Sequence, residues 1–358
     1  MVERRRQGRA VALAALIGLS VVLPTASAQS AGGPLNARRL TQNPLITVSS
    51  SPTLGDNVNG PTVIRVPDWV NRPLGKYYMY FANHMGTFVR LAYAPAVSGP
   101  WTVYEPGVLD VRATAFFREQ PDPVETRDDF YTHVASPEIL FDPAARRMVM
   151  WTHGWWTRGE RWPVKPAEAR TWARANGYGQ FTQAAVSDDG LHFTVQPAIT
   201  KTSYIRVFAR DSSYFGVSRL GLVSRASNPL EEFVPGPNLF RDTSFAGRVR
   251  HVSLVVRDSV LLVFFTAIGD APERVFMSTV NLAADWHAWH ASGFTEVLAP
   301  ETAYECVDLP NRPSEAGDIS VPVKQIRDPF VFEDQGQVFL FYSTCGEQGI
   351  AAAEITLP

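Results

Sequence analysis

Polar residues that could do acid–base or binding chemistry cluster at the starts of short apolar runs in this 358-residue chain. They are Asp56, Asn57, Asn59, His133, Ser136, Glu138, Arg206, Arg250, His251, Arg327 and Asp328. Carboxylates and imidazoles are the usual proton donors and acceptors, and a guanidinium binds carboxylate or sulfate groups through a planar fork. Burying such groups is costly unless each is paired or faces a wet cavity. The pattern favours one polar binding site, with structural Arg–Asp pairing as the alternative.

Two further histidines follow aromatic runs at equivalent places. His84 comes after Tyr80-Phe81, and His153 comes after Trp151-Thr152. An isolated histidine of this kind is an ordinary surface residue. Its recurrence in two copies of the same pattern predicts that both side chains point toward one site.

Tryptophans mark an insertion at residues 154–180. They are Trp155, Trp156, Trp162 and Trp172. Exposed indole rings stack on the apolar faces of sugars, so the insertion predicts a saccharide-binding lid. The alternative is that Trp155 and Trp156 pack the insertion onto the strands beneath it.

The elements that would position these residues repeat five times along the chain. Each copy contains short runs rich in aromatic and β-branched residues, separated by turn residues, which is typical of consecutive antiparallel strands. The copies begin near Asn59, Ala135, Tyr204, Arg250 and Arg327. Such repeats predict an all-β fold, a five-bladed β-propeller whose innermost strands line a central channel. The polar residues at the strand starts then converge on one mouth. A β-sandwich is the alternative fold.

A glycine–aromatic segment or an aromatic tail closes each of the first four copies, and we assign the fourth strand of each blade there. These segments are residues 98–101, 190–193, 232–233 and 286–289. The fifth copy lacks one. We expect residues 44–48 to complete its blade from the other end of the chain.

Charge and cysteine content narrow the function classes. The formal net charge of −2 offers no basic field for nucleic acid and no polybasic run for lipid. The two cysteines, Cys306 and Cys345, form one disulfide in an exported protein or remain two buried thiols.

The N-terminus has the features of an export signal. A positive segment comes first and contains Arg4, Arg5, Arg6 and Arg9. An apolar run at 11–23 and the small residues 26–28 follow. This run is too short to cross a hydrocarbon core about 30 Å thick. We predict a signal peptide at 1–28, a secreted or periplasmic protein without a membrane span, and one propeller domain at 29–358.

At these residues the chain resembles the five-bladed propeller glycosidases of glycoside hydrolase families 43, 32 and 117. The Asp328-Pro329 pair resembles their blade openings. Ser136-Pro137-Glu138 resembles their second-blade opening, where an acidic residue orients the general acid, and His251 resembles their fourth-blade histidine. The resemblance implies hydrolysis of glycosidic bonds in a plant- or algal-type polysaccharide or oligosaccharide.

Two departures from those families concern the expected carboxylates. Family 43 enzymes place a general-base aspartate at the first-blade opening, where this chain has Asn59-Gly60. Their general-acid glutamate opens the third blade, where this chain has Tyr204-Ile205-Arg206.

The remaining groups still predict an acid and a base. Inverting hydrolysis uses two carboxyl groups about 6.5–9.5 Å apart, and Glu138 and Asp328 are available as bases that act through water. His251 or His133 would act as the acid, because a flanking carboxylate keeps an imidazole protonated. The predicted substrate contacts are Asn59, His84, His153, Arg206, Arg250, Arg327, Trp155 and Trp156. The arginines among them suggest an anionic sugar.

Two other functions fit the same residues. One is a non-catalytic carbohydrate-binding propeller. The other is a polysaccharide lyase, in which arginine neutralises a uronate while a histidine or Tyr204 abstracts the proton. No cofactor is required, although propeller enzymes can hold an axial calcium or sodium ion. The expected partner is a carbohydrate and not nucleic acid.

Overall fold

Strand pairing divides the chain into five small antiparallel sheets. The structure is a computed structural model that describes residues 35–117, 132–156 and 179–358. In chain order the strands are β1 (Ala37–Arg39), β2 (Ile46–Thr47), β3 (Asn59–Arg65), β4 (Tyr77–Ala82), β5 (Phe88–Ala94), β6 (Thr102–Asp110), β7 (Ala135–Asp142), β8 (Arg147–Trp156), β9 (Gly179–Ser187), β10 (Thr194–Thr200), β11 (Arg206–Arg210), β12 (Ser213–Val217), β13 (Leu222–Ala226), β14 (Val234–Asn238), β15 (Val249–Arg257), β16 (Val260–Ala267), β17 (Val275–Asn281), β18 (Ala291–Leu298), β19 (Arg327–Asp334), β20 (Gln337–Thr344) and β21 (Gly349–Ile355).

Four sheets are built from consecutive strands, and the fifth joins the two ends of the described chain. The consecutive sheets run β3 to β6, β7 to β10, β11 to β14 and β15 to β18, and the fifth has the order β19-β20-β21-β1. Within these residues the only helical segments are short 3-10 turns. The prediction of an all-β, five-bladed propeller is confirmed. None of the described helical segments is long and apolar enough to span a membrane.

The closing strand of the fifth blade differs from the prediction. Residues 37–39 form it, with Ala37 opposite Ile355. Of the expected segment 44–48, only β2 pairs with β21, where Ile46 lies opposite Ile350. The N-terminal side does complete the ring, but it does so mainly through β1.

The predicted fourth strands were placed too early. Each true outer strand, β6, β10, β14 or β18, begins one or two residues after the expected segment. The aromatic residues of those segments pack inward from the turn, as the buried Phe233 and Trp289 show. The outer strands are part-exposed and poorer in aromatic residues, so hydrophobicity marks the turn more strongly than the strand.

Bulges at the starts of the innermost strands aim side chains at the channel. The pairing shifts register after Asn59 in β3, after Ala135 in β7 and after Arg327 in β19. The next residues, Gly60 and Asp328, have φ of 60° and 52°, and each is followed by proline. A bulge bends its strand and redirects the neighbouring side chains, so the same device repeats around the ring.

Apolar side chains fill the spaces between neighbouring blades. Between the first two blades, Tyr78 and Tyr80 of β4 belong to one cluster with Met148 and Met150 of β8. Each blade therefore packs on both faces, and the polar groups are left to the axis. All described residues belong to one compact unit.

The two cysteines form a disulfide. Cys306 and Cys345 have their Cα atoms 5.0 Å apart. The bond ties the long connection between β18 and β19 to the end of β20, so that connection is held against the mouth.

Candidate active site

Four side chains at equivalent positions of the innermost strands meet on the axis. They are Thr62, Glu138, Arg206 and Phe330, and we call them the axial plug. Arg206 Nη1 lies 2.6 Å from Glu138 Oε2 and donates to Thr62 Oγ1 at 2.6 Å. The same guanidinium lies 5.1 Å from the ring centre of Phe330.

The remaining donors of Arg206 bind backbone carbonyls. Nε donates to Val252 O at 3.1 Å, and the terminal nitrogens reach Pro137 O at 3.1 Å and Pro61 O at 3.3 Å. Burial raises the pKa of Glu138, although Arg206 favours the charged form. The predicted base Glu138 and the predicted substrate-binding Arg206 are therefore engaged with each other.

A second group of side chains lies around Tyr204, two residues before the start of β11. We call Tyr204, His84, His153 and His251 the tyrosine–histidine cluster. The Tyr204 ring centre is 4.0 Å from that of His153 and 4.1 Å from that of His251. The three histidines are buried and Tyr204 is part-exposed, so the tyrosine forms the solvent side of the cluster.

His84 connects Tyr204 to a buried carboxylate. The Tyr204 hydroxyl lies 3.0 Å from His84 Nε2, and His84 Nδ1 lies 3.3 Å from Glu347 Oε2. Asn59 Nδ2 donates to the same carboxylate oxygen at 3.1 Å. Burial works against charge on His84, but Glu347 raises its pKa above the usual 6.5. Glu347 is not among the residues predicted from the sequence, although it follows β20 much as His84 follows β4.

His251 and Asp328 form a second buried pair. His251 Nδ1 lies against Asp328 Oδ1. The other carboxylate oxygen accepts from Ser343 Oγ at 2.9 Å and from the Gly60 amide at 3.4 Å. Burial opposes ionisation of Asp328, but His251 holds its pKa well below the usual range. Burial lowers the pKa of His251 despite that carboxylate.

Two imidazoles retain unused hydrogen-bonding capacity. Among the described residues, His251 Nε2 and both ring nitrogens of His153 have no hydrogen-bond partner. Burial is the main cause of a His153 pKa well below the usual value. His133, the other predicted acid, lies behind His153 with ring centres 5.7 Å apart. Such orphan groups are rare in buried positions and call for an explanation.

The two other predicted arginines are held in ion pairs. Arg250 Nε lies 2.8 Å from Glu273 Oε1, and Arg327 Nη1 lies 3.0 Å from Glu347 Oε1. Arg327 Nε also lies 3.3 Å from Glu273 Oε2. These arginines therefore brace the acidic groups beneath the mouth.

The two described tryptophans of the insertion have different surroundings. Trp156 packs edge-on against Phe181, with ring centres 5.0 Å apart. Trp155 lines a cavity of about 290 Å³ together with Arg219. The rest of the insertion, at 157–178, lies outside the described residues, as does the predicted signal peptide.

Over the described ranges no group of three or more histidine, cysteine, aspartate or glutamate side chains is arranged to hold a metal ion. The axial calcium or sodium ion stays a prediction.

A curated protein is similar to this chain over most of its length. No protein-family profile matches the chain. An uncharacterized protein of Acanthamoeba polyphaga mimivirus is 29% identical over 356 residues, covering 93% of this chain and 94% of the relative.

Solved structures share the fold at low sequence identity. A glycosyl hydrolase from Bacteroides ovatus has a TM-score of 0.56 at 10% identity, covering 90% of this chain and 94% of that one. An α-L-arabinofuranosidase from Lactobacillus brevis has a TM-score of 0.52 at 11% identity, with coverages of 88% and 93%. A glycoside hydrolase family 130 structure, described with enzymes that target β-1,2 mannosidic linkages, has a TM-score of 0.58 at 13% identity, with coverages of 93% and 95%. The chain therefore has the five-bladed fold of propeller glycosidases.

Proposed function

We propose that this protein cleaves glycosidic bonds by hydrolysis, with Tyr204 as proton donor and His251 as proton acceptor. The observation that carries the proposal is the relay from Tyr204 through His84 to Glu347, beside the separate His251–Asp328 pair. A hydroxyl, an imidazole within hydrogen-bond reach and a carboxylate that orients the imidazole form a recurring catalytic arrangement. The glycosidase neighbours of the same fold support a carbohydrate substrate.

The two halves of the site have complementary protonation preferences. Burial opposes charge on His84, but Glu347 raises its pKa above the usual 6.5, which favours the protonated imidazole. Burial lowers the pKa of His251, which favours the neutral imidazole. Pairs of titratable groups whose environments push their pKa values apart are the usual acid and base of an active site.

The proposed reaction balances through these groups. Tyr204 gives its proton to the departing glycosidic oxygen and recovers one from His84 Nε2. His251 Nε2 takes a proton from water, whose oxygen bonds to the anomeric carbon. His84 ends one proton poorer and His251 one proton richer, and exchange with solvent resets both.

We also propose that the protein is exported. The sequence features of residues 1–28 suggest a signal peptide. The Cys306–Cys345 disulfide supports an oxidising compartment.

A lyase is the second candidate, because Tyr204 is the solvent-facing acid–base group and Arg219 lies nearby. In that reaction ionised Tyr204, whose own proton has passed to His84 Nε2, removes the proton next to a uronate carboxylate. The bond to the leaving oxygen breaks, a carbon–carbon double bond forms, and the leaving oxygen takes the proton from Tyr204. No water is consumed.

A product assay tests these proposals. The protein from residue 29 onward is incubated with a panel of arabinans, mannans, galactans and uronate-containing oligosaccharides. Reducing ends, ultraviolet absorbance of unsaturated sugars and ligand-induced thermal shifts are measured together. New reducing ends without absorbance support hydrolysis, and reducing ends with absorbance support the lyase. A thermal shift without any product would overturn both in favour of a binding protein.

A further inference from the structure

A cavity of about 290 Å³ lies beside the tyrosine–histidine cluster. Its walls include Trp155, Ser203 and Arg219. Ser203 is the chain neighbour of Tyr204, and Trp155 lies two residues from His153 on β8, so both point to the same face of that strand. The cavity and the cluster are therefore parts of one continuous region.

Arg219 supplies a positive charge to this region. Its guanidinium has neither a hydrogen bond nor an ion pair within residues 35–117, 132–156 and 179–358. Arg206, Arg250 and Arg327 are all paired with buried glutamates. Arg219 is part-exposed, so its charge is available to a ligand.

The backbone holds Arg219 in place. Its amide donates to Ser203 O at 3.0 Å. The next residue, Leu220, has φ of 66°, and its carbonyl accepts from Asn238 Nδ2 at 2.9 Å. A non-glycine residue keeps left-handed backbone only where its surroundings enforce it, and such residues concentrate at ligand sites.

His153 supplies an independent sign of a ligand. It is 1% exposed, and in the described structure neither ring nitrogen has a hydrogen-bond partner. The Arg219 charge adds to the burial that keeps His153 neutral, and a neutral imidazole can donate from one nitrogen. An anionic oxygen between the two side chains would satisfy both, since charge-assisted hydrogen bonds are the strong ones.

We propose that Arg219, His153 and Trp155 form a subsite for a negatively charged sugar, bearing a carboxylate or a sulfate. The arginine binds the anion, the histidine donates to it and the indole stacks on the ring. This inference rests on the proposed function and names its substrate class. It assigns the anion to Arg219 and not to the arginines that the sequence suggested.

Matched pairs of oligosaccharides test the subsite. Binding to the full chain carrying Tyr204→Phe, which slows turnover, is measured by calorimetry. The probes are tetragalacturonate and tetraglucuronate, each with its methyl ester, and a sulfated galactan tetrasaccharide with its desulfated form. We expect a charged member to bind tighter than its neutral partner.

Substitution of the arginine should remove that preference. Arg219→Gln is expected to lower the affinity for the charged probe about 10- to 100-fold and the affinity for the neutral probe less than about twofold. Arg219→Lys should retain part of the preference because it keeps the charge. The control is Arg146→Gln, in the exposed turn between β7 and β8, which should change nothing. Thermal melting checks that each variant is folded.

The subsite would be overturned if the Tyr204→Phe protein bound the charged and neutral probes equally well. It would also be overturned if adding Arg219→Gln weakened binding of both probes to the same extent. A preference within the uronate pairs indicates a carboxylate as the bound group, and a preference within the galactan pair indicates a sulfate. If charged probes bind through Arg219 but no glycan is cleaved, the proposed function fails and the subsite stands. If neutral glycans are cleaved and charged probes bind no more tightly than neutral ones, the proposed function stands and the subsite fails.

Discussion

The axial plug and the tyrosine–histidine cluster are two buried polar groups on one axis, and they differ in how completely their hydrogen bonds are satisfied. Arg206 and Tyr204 are only two residues apart in the sequence. In the plug, Arg206 binds a carboxylate, a hydroxyl and three carbonyls. In the cluster, His153 and His251 keep ring nitrogens that no described group satisfies.

The difference separates structural from functional polarity. A satisfied buried ion pair holds strands in register, whereas an unsatisfied buried donor or acceptor costs about 1–3 kcal/mol. A protein that retains such a cost beside a part-exposed tyrosine gains a place where a ligand can complete the bonds. Burial and charge alone would not have distinguished the two groups.

The largest expected effect is on catalysis by the cluster. Tyr204→Phe keeps the ring packed against the histidines and removes the proposed proton donor, so kcat/KM should fall about 10²- to 10⁴-fold. Initial rates on the substrate found by the panel measure this. Tyr214→Phe, in β12 of the same blade, is the matched control and should retain normal rates. Activity of Tyr204→Phe within twofold of the parent would remove the hydroxyl from the mechanism.

Breaking the plug should affect stability. Arg206→Met leaves Glu138 buried without its partner, and we expect the free energy of unfolding to fall by about 3–5 kcal/mol. Urea unfolding followed by tryptophan fluorescence measures the change.

The double variant Arg206→Met with Glu138→Leu should recover most of that loss, because neither charge remains buried. If Arg206→Met were as stable as the parent but no longer bound carbohydrate, the plug would belong to the binding site and the comparison would fail.

The disulfide supports the mouth more than the plug. Replacing Cys306 and Cys345 by alanine opens a loop with a sequence separation of 39 residues. The free energy of unfolding should therefore fall by about 2–4 kcal/mol. Gly317, on that connection, accepts from Arg250, and Glu347 follows Cys345 by two residues. In this double variant, activity should therefore be lost at a lower urea concentration than the one at which tryptophan fluorescence reports unfolding. A reducing agent should reproduce this in the parent and leave the double variant unchanged.

The smallest expected effect concerns how the reaction rate depends on pH. His251 must be neutral to accept a proton, so activity should fall as pH drops through its pKa, which burial places below 6.5. His84 must be protonated to resupply Tyr204, so activity should also fall as pH rises through its pKa, which Glu347 places above 6.5. The rate profile should be bell-shaped.

Asp328→Asn sharpens that test. The aspartate charge favours the protonated form of His251, so its removal should move the acid limb to lower pH. Asp285→Asn breaks an exposed aspartate–histidine pair with His287 and serves as the control. An acid limb that stays in place, or moves to higher pH, would show that His251 is not the base.

Sequence reasoning located much of the site but not the roles within it. The strand starts and the equivalent histidine positions predicted His84, His153, His251 and Asp328, and the fold brings all four to the mouth. Arg219 was missed because it lies in a turn where no repeated pattern marks it, whereas Glu347 was missed although it follows β20 much as His84 follows β4. The contacts that identify Glu347 join residues far apart in the chain, because its carboxylate accepts a hydrogen bond from Asn59.

The sequence by itself determined the blades, because alternating aromatic and β-branched runs with regular turns have few other ways to bury their side chains. It also determined which polar residues would lie near the axis. Only the tertiary structure decided which of them neutralise each other, because ion pairing depends on distances of a few ångströms between strands of different blades. Glu138 and Arg206 thereby became a structural pair, while His153 and His251 were left with ring nitrogens that no described group satisfies.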